Sequence, residues 1–239
     1  MLNISFLVHT FALSLSAVPV TLKITLVSLT AGLIPGFFTA LARIYRIRVL
    51  SGLSAVFVSF IRGTPMVLQI LAAYSLLPSI LHVLFLRAGI KADIFALNPV
   101  WYAYLVFSLN TTAILSEVLR SALLTVHKGQ LEAALTIGLT AGQAYRRIII
   151  PQALTAALPN ICTATVNLIK NTSLAFMMTV KDITAVANIE AAYGYNYIEA
   201  YLDIFVIYII VCVIVQKLFA AMEKRLNRYR QTGVSNAGS

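Results

Sequence analysis

Charged side chains are scarce in this chain. Of 239 residues, 11% are Asp, Glu, Lys or Arg, against about 25% in soluble domains. Acidic residues are the scarcer sign, 8 against 18 basic ones, which leaves a formal net charge of +10. This composition excludes an ordinary soluble domain. Cysteine is nearly absent as well. Cys162 and Cys212 both sit in apolar stretches and read as small buried hydrophobes. With no C-x-x-C pair, and with His9, His82 and His127 far apart in sequence, no metal site is expected. No G-x-x-x-x-G-K-[ST] occurs among the 11 glycines, so the chain has no loop of that kind to cradle ATP phosphates. No cofactor is expected and no enzymatic chemistry.

Hydrophobic residues make up 60% of the chain. A bilayer span needs about 20 mostly apolar residues, and residues 18–42, 65–86, 97–119, 148–169 and 201–222 each reach that length. The expected fold is therefore an all-α membrane protein with five transmembrane helices in one domain, residues 18–226. Residues 1–17 are expected to be a segment on the outer interface and 227–239 a cytoplasmic tail. The apolar stretch 4–20 has no basic residue before it, the first lysine being Lys23. That favours a retained segment, with a cleaved signal peptide as the alternative. No internal repeat is visible.

The net charge would suggest nucleic acid in a soluble protein, but its placement argues for a membrane. Arg43, Arg46 and Arg48 follow the first span; Lys128, Arg146 and Arg147 lie between the third and fourth; Lys224, Arg225, Arg228 and Arg230 follow the fifth. The opposite loops carry Arg87, Lys91 and Lys181, offset by Asp93, Asp182, Glu190 and Glu199. Basic residues collect on the cytoplasmic side, so the N-terminus is expected outside and the C-terminus inside.

Residues 132–151 (EAALTIGLTAGQAYRRIIIP) form the most informative segment. Gly129 is expected to end the helix continuing from the third span, and residues 130–137 to form about two turns, roughly 12 Å. Gly138 suits a left-handed closing residue, and Thr140 with Gln143 a capping box for the next helix. Ala133 and Ala134 give the short helix a small-residue face. Glu132 stands near its start, where the helix dipole favours an anion. Pro151 should kink the following helix and act as a hinge.

Glu132-Ala133-Ala134, then Gly138, Ile148, Ile150 and Pro151, resembles the EAA loop of bacterial ABC importer permeases, the cytoplasmic segment that couples to a separate ATPase. The resemblance extends to Arg62-Gly63-Thr64-Pro65, Glu117-Val118-Leu119-Arg120, Lys128-Gly129-Gln130-Leu131-Glu132-Ala133-Ala134, Pro151-Gln152-Ala153-Leu154, Leu158-Pro159 and Lys170-Asn171-Thr172-Ser173-Leu174. In this order these are similar to the signature of the polar amino acid permeases. The resemblance implies a bacterial inner-membrane permease subunit with Glu132, Ala133, Ala134 and Gly138 in the ATPase contact. It also implies a second permease subunit, identical or homologous, two ATPase subunits and an external solute-binding protein. The substrate implied is a polar amino acid; overall likeness is to members that carry cystine or other sulfur-containing amino acids. An opine, an organic cation or an ion-coupled secondary transporter are the alternatives. Asn171 replaces the family's usual acid, Ile114 its usual Tyr, and Ile150 its more common Leu.

Ionisable residues at membrane depth are functional candidates, since a charge at the bilayer centre costs about 2.5–3.5 kcal/mol on insertion scales. Asn110, Glu117 and Ser121 fall on one face of the third span. Asn160, Thr163, Asn167, Lys170 and Asn171 fall on one face of the fourth. Two facing polar stripes would line a water-filled seam; the alternative is helix–helix hydrogen bonding. Asn171, Thr172 and Ser173 are all good N-caps, so a helix broken between Lys170 and Thr172 could hold a substrate carboxylate. Lys170 would add a cation there. Glu117 would pair with the substrate's ammonium or with Arg120 or Lys170. Arg62 would close the inner end of the pathway or anchor to lipid phosphate. The tyrosines of residues 182–200 would cap the pathway, meet the binding protein or form an aromatic belt.

Overall fold

The computed structural model describes residues 2–90 and 93–235, with side chains up to residue 226. Among the described residues every regular element is helical. Lys91 and the side chains of the expected 227–239 tail lie outside the described residues. Among the described residues five helical stretches are long and apolar enough to cross a bilayer: Ile4–Ile44, Met66–Arg87, Val100–Thr125, Ala141–Met178 and Tyr197–Leu226. Each contains or closely overlaps one expected run.

The first stretch is two helices, α1 (Ile4–Ser16) and α2 (Val18–Ile44), with Ala17 between them. Together they would extend about 60 Å, twice the hydrocarbon thickness. Their packing separates them: α1 lies against α9 (Ile183–Gly194) and α10 (Tyr197–Ser235), whereas α2 packs on α5 (Val100–Thr125). The N–H of Asn3 donates to Oε1 of Glu199 at 2.8 Å, tying the chain's start to the start of α10.

The α2–α5 pair is the densest contact in the fold. Ser28, Gly32, Gly36 and Ala40 repeat every fourth residue and are all buried. A Cβ on Gly32 would stand 2.9 Å from Cγ2 of Thr111 and 3.0 Å from the backbone N of Thr112. Gly32-x-x-x-Gly36 thus lets two backbones approach as small residues do in bilayers, where apolar tails supply little drive for helix association.

The fold contains a helix that the sequence reading omits. Residues 48–63, taken as part of an inner connection, form α3 (Arg48–Gly63). Its Val58 and Ile61 pack on Ala113, midway along α5. Thr64 and Pro65 interrupt the chain, and α4 (Met66–Arg87) follows. The Arg62–Pro65 corner is therefore level with the middle of α5, not at its end. Residues 182–200, read as an outer loop, are mostly the packed helix α9, held among α1, α10 and the 3₁₀ turn Ser173–Met178 that follows α8 (Ile150–Thr172).

Candidate functional site

The loop after α5 is built as two helices around a corner. α5 ends at Thr125, and His127 caps the next helix, its Nδ1 accepting from the N–H of Gly129 at 3.1 Å. Gly129 therefore opens α6 (Lys128–Thr136) instead of closing α5. Gly138 has φ +85°, the expected left-handed corner. Its N–H donates to Leu135 O at 3.0 Å and that of Leu139 to Ala134 O at 3.1 Å, the two bonds of a Schellman motif. Thr140 then caps α7 (Ala141–Ala144): the Gln143 N–H donates to Thr140 Oγ1, and the Thr140 N–H to Gln143 Oε1. This is the expected capping box.

Two details differ from the expectation. Ala134 is 1% exposed and turned into the protein, so Ala133, not an Ala133–Ala134 pair, is available to a partner. Glu132 lies mid-helix because α6 starts at Lys128. The exposed apolar residues are Leu135 and Ile137, the latter 75% exposed. Beyond α7 the chain makes a π-helical turn at Tyr145–Ile149 before α8. The wider turn precedes Pro151, which has no N–H to offer, so the missing hydrogen bond is absorbed there. The Tyr145 hydroxyl meets that of Tyr45, linking this turn to the end of α2.

Glu117 and Asn110 of α5 point towards α2 and α4 respectively. Glu117 is held by Arg43 of α2 and by Arg120, whose Nη2 donates at 2.8 Å. Its carboxylate is doubly neutralised: of the partners the sequence offered, Arg120 is in place, and Arg43 joins it. Asn110 Nδ2 donates to Gln69 Oε1 at 3.3 Å. Gln69 Nε2 in turn donates to Ile61 O at 2.7 Å and to Thr64 O at 3.0 Å. Gln69 thereby satisfies carbonyls at the end of α3, where the chain breaks. The sequence reading missed Arg43, Thr64 and Gln69. The signal for the latter two was the Gly63-Thr64-Pro65 interruption followed by an amide four residues after the proline.

The polar stripe of α8 is open. Asn160, Thr163, Asn167 and Lys170 are exposed, and Asn171 is half-buried. Within one subunit this stripe does not face that of α5. The two helices meet instead through Leu119, Ala122 and Ala157, with Val118 and Ile161 against them. Ser121 is exposed, and Arg62 is exposed at the α3–α4 corner. Leu168 packs with Tyr102, Ala103 and Val106, so Lys170 lies level with the first turns of α5. That is near the end of the bundle away from the basic loops.

The expected helix break at Lys170–Thr172 is absent. α8 runs through Thr172 and tightens into a 3₁₀ turn, Ser173–Met178. Thr172 Oγ1 donates to Ile169 O at 2.6 Å and Ser173 Oγ to Lys170 O at 2.7 Å. Both hydroxyls bond backwards to the preceding turn, the competing use of such residues, instead of capping a new helix. The chain turns four residues before α9, at Thr179 in the left-handed region with φ +58°, whose Oγ1 pairs with the Tyr74 hydroxyl at 3.2 Å. Asp182 then caps α9, accepting from Ala185 N–H at 2.9 Å and from the Tyr208 hydroxyl at 3.3 Å. Burial pushes its carboxyl up to about 6. Among the described residues no three His, Cys, Asp or Glu side chains group as metal ligands.

Comparison with known proteins bears on this arrangement as a whole. Residues 28–228 match the family described as binding-protein-dependent transport system inner membrane component. The chain is 35% identical over 210 residues to the L-cystine transport system permease protein TcyL of Bacillus subtilis (strain 168), covering 88% of this chain and 85% of that protein. It is 32% identical to the octopine transport system permease protein OccM of Rhizobium radiobacter, covering 98% and 96%. Among solved structures, an amino acid ABC transporter crystallised with histidines superposes with a TM-score of 0.77 at 27% identity, covering 94% of this chain and 99% of that one.

Proposed function

Because this chain belongs to the family of binding-protein-dependent transport system inner membrane components, we propose that it imports polar amino acids, cystine or another sulfur-containing amino acid foremost. At the family level it is a multi-pass inner-membrane permease of an ATP-binding cassette importer, not an enzyme, and it works with an ATPase and a solute-binding protein. In this reading two permease subunits, identical or homologous, pair, and two ATPase subunits bind them from inside. The N-terminus is outside and the C-terminus inside. Residues 1–17 lie at the outer face, 18–226 form the transmembrane domain and 227–239 the tail.

The observation that carries the reading is the helix–corner–helix unit from His127 to Gln143. Its Schellman motif and capping box fix a compact knob with Glu132, Ala133, Leu135 and Ile137 on its surface. Such a knob suits a rigid contact that transmits force, with Gly138 holding its corner. Pro151 and the π turn before it form the hinge between knob and bundle.

The pathway in this reading runs between two subunits, because the exposed amides of Asn160 and Asn167 and the Lys170 ammonium are unsuited to lipid tails. Asn171, Thr172 and Ser173 set the outer end of that stripe. Arg62, Asn110 and Glu117 flank the interrupted α3–α4 corner, which sits at mid-depth as broken helices do in transporters. The cystine reading draws on relatives such as TcyL; an opine is the second reading, favoured by the near full-length likeness to the octopine permease. Thermal-shift screening of the cognate binding protein with both classes separates them.

Uptake by vesicles containing permease, ATPase and loaded binding protein tests the pathway. Lys170→Met should weaken transport about tenfold to a hundredfold, since a hydrogen bond to a charge contributes roughly 1.5–3 kcal/mol. Lys181→Met, outside the spans, should leave it near normal. Equal rates and apparent affinities in both variants would remove the α8 stripe from the pathway.

A further inference from the structure

A groove of about 340 Å³ opens on the side of the bundle between α2, α5 and α8. Leu33, Phe37, Phe38, Leu123, Ile150 and Leu154 are among its lining residues, all of which are apolar. Ile149, Ala153 and Leu123 pack beneath it with Tyr145 and Val126, so its floor is the part of the bundle next to the basic loops. Arg146 and Arg147 precede Ile150 by four and three residues, within about 6 Å along the helix axis. Both are exposed, and neither is in an ion pair among the described residues. Arg146 and Arg147 lie in the π turn that leads directly into Ile150, so both cations stand at the groove's basic end.

We propose that this groove is a binding site for an anionic phospholipid, with one acyl chain along Phe38, Ile150 and Leu154 and the headgroup on Arg146 and Arg147. In a bilayer an acyl chain is as apolar as leucine, so tail contact alone selects nothing. A concave apolar wall still excludes a flat neighbour, because an unfilled groove forfeits its dispersion contacts. A flexible chain fills it. Selection then falls to the headgroup, and basic residues at the boundary between spanning helices suit an anionic one. A second copy of the chain is disfavoured as the occupant. The polar stripe that calls for a partner, Asn160 with Asn167, lies roughly 110° around α8 from the wall formed by Ile150 and Leu154 by helical spacing. The site requires that the chain be in a membrane, but not which side is cytoplasmic.

The chain has one tryptophan, Trp101, which is exposed on α5. A Trp101→Phe, Phe38→Trp variant therefore carries a single reporter at the groove. The full chain is reconstituted in phosphatidylcholine vesicles containing a fixed fraction of acyl-brominated lipid, either phosphatidylglycerol or phosphatidylcholine. Brominated phosphatidylglycerol should quench the reporter more strongly. The preference should fall roughly fivefold for each arginine removed, near the ~1 kcal/mol that one basic residue gains at an anionic surface. It should vanish in Arg146→Gln, Arg147→Gln and persist in Arg146→Lys, Arg147→Lys. Equal quenching by the two lipids, or a preference that survives loss of both arginines, would overturn the headgroup assignment. Quenching by neither would show protein, not an acyl chain, covering the groove, and would overturn the site itself.

Discussion

Glu117 shows what residue-by-residue reading can and cannot reach. Its spacing to Arg120 is visible in the sequence, and that pair exists. Arg43 comes from a helix 74 positions away and is invisible until α2 lies on α5. With two arginines on one part-buried carboxylate, Glu117→Gln leaves a net positive cluster. It should lower stability by about 1–3 kcal/mol, since breaking charge-assisted hydrogen bonds costs that order. Arg120→Ala should cost less, because Arg43 still holds the carboxylate. Thermal unfolding in detergent, followed by a thiol dye reaching buried Cys212, ranks the two. Asp182 carries a second prediction at this scale. Burial raises its folded pKa to about 6, above the ordinary carboxylate value of 3.8. The native state then holds more protons than the unfolded one between those values. Stability from this group is present below about 4 and is lost as pH rises through 6. Asp182→Asn keeps an N-cap for α9 and removes the titration. The melting temperature of the unmodified protein should therefore fall relative to Asp182→Asn from pH 4.5 to 6.5 and run parallel above it. A constant difference across that range would contradict the burial argument.

At the scale of elements, local rules succeeded where local bonds decide. The Gly138 corner and the Thr140–Gln143 box were legible because their hydrogen bonds close within a few residues. Gly129 was misread for the converse reason. Glycine most often closes a helix, but here the His127 side chain supplies the cap that starts one. The Asn171–Ser173 run failed similarly. N-cap residues also bond backwards to preceding carbonyls, and nothing in their identity says which use wins. α3 was missed because 16 residues are too few to span a bilayer and length was the criterion applied. The Gly32–Gly36 spacing, which the sequence reading passed over, shows its packing role only when Thr111 and Thr112 lie against it. The coupling corner allows a clean test. A Cβ on Gly138 meets nothing within 4 Å, so substitution there costs backbone strain and no clash. Gly138→Val forces a β-branched residue to φ +85°, where such side chains are genuine outliers. It should sharply reduce co-purification of the ATPase while the permease still inserts. Gly138→Asn, which tolerates this region, should retain most of it. Full ATPase recovery with valine would show that the corner does not govern docking.

At the scale of the whole molecule, hydropathy carried the spans because water exclusion acts on every helix alike, and the family likeness runs across them, over residues 28–228. Which faces meet one another was not legible, since the α5 and α8 stripes are each periodic yet turn away from each other. Periodicity fixes a face relative to its own helix and says nothing of a neighbour's rotation. Sidedness rests on a different physical argument, the collection of arginine and lysine at one end of the bundle. The structure joins two basic connections there: Tyr45, beside Arg43 and Arg46, meets Tyr145, beside Arg146 and Arg147. The far end gathers Tyr193 and Tyr195, both more than 80% exposed. A cysteine at Gly194 should therefore react with an impermeant maleimide added to intact cells, and one at Gly142 should react only after the membrane is opened. Both glycines are exposed, and a side chain at Gly142 meets nothing within 4 Å. At Gly194 it meets the movable end of Asn196. The native thiols set little background, since Cys212 is buried and Cys162 half-buried within the spans. The reverse pattern would put the His127–Gln143 knob outside the cell, beyond reach of any ATPase, and the coupling role proposed for Gly138 would fall with it.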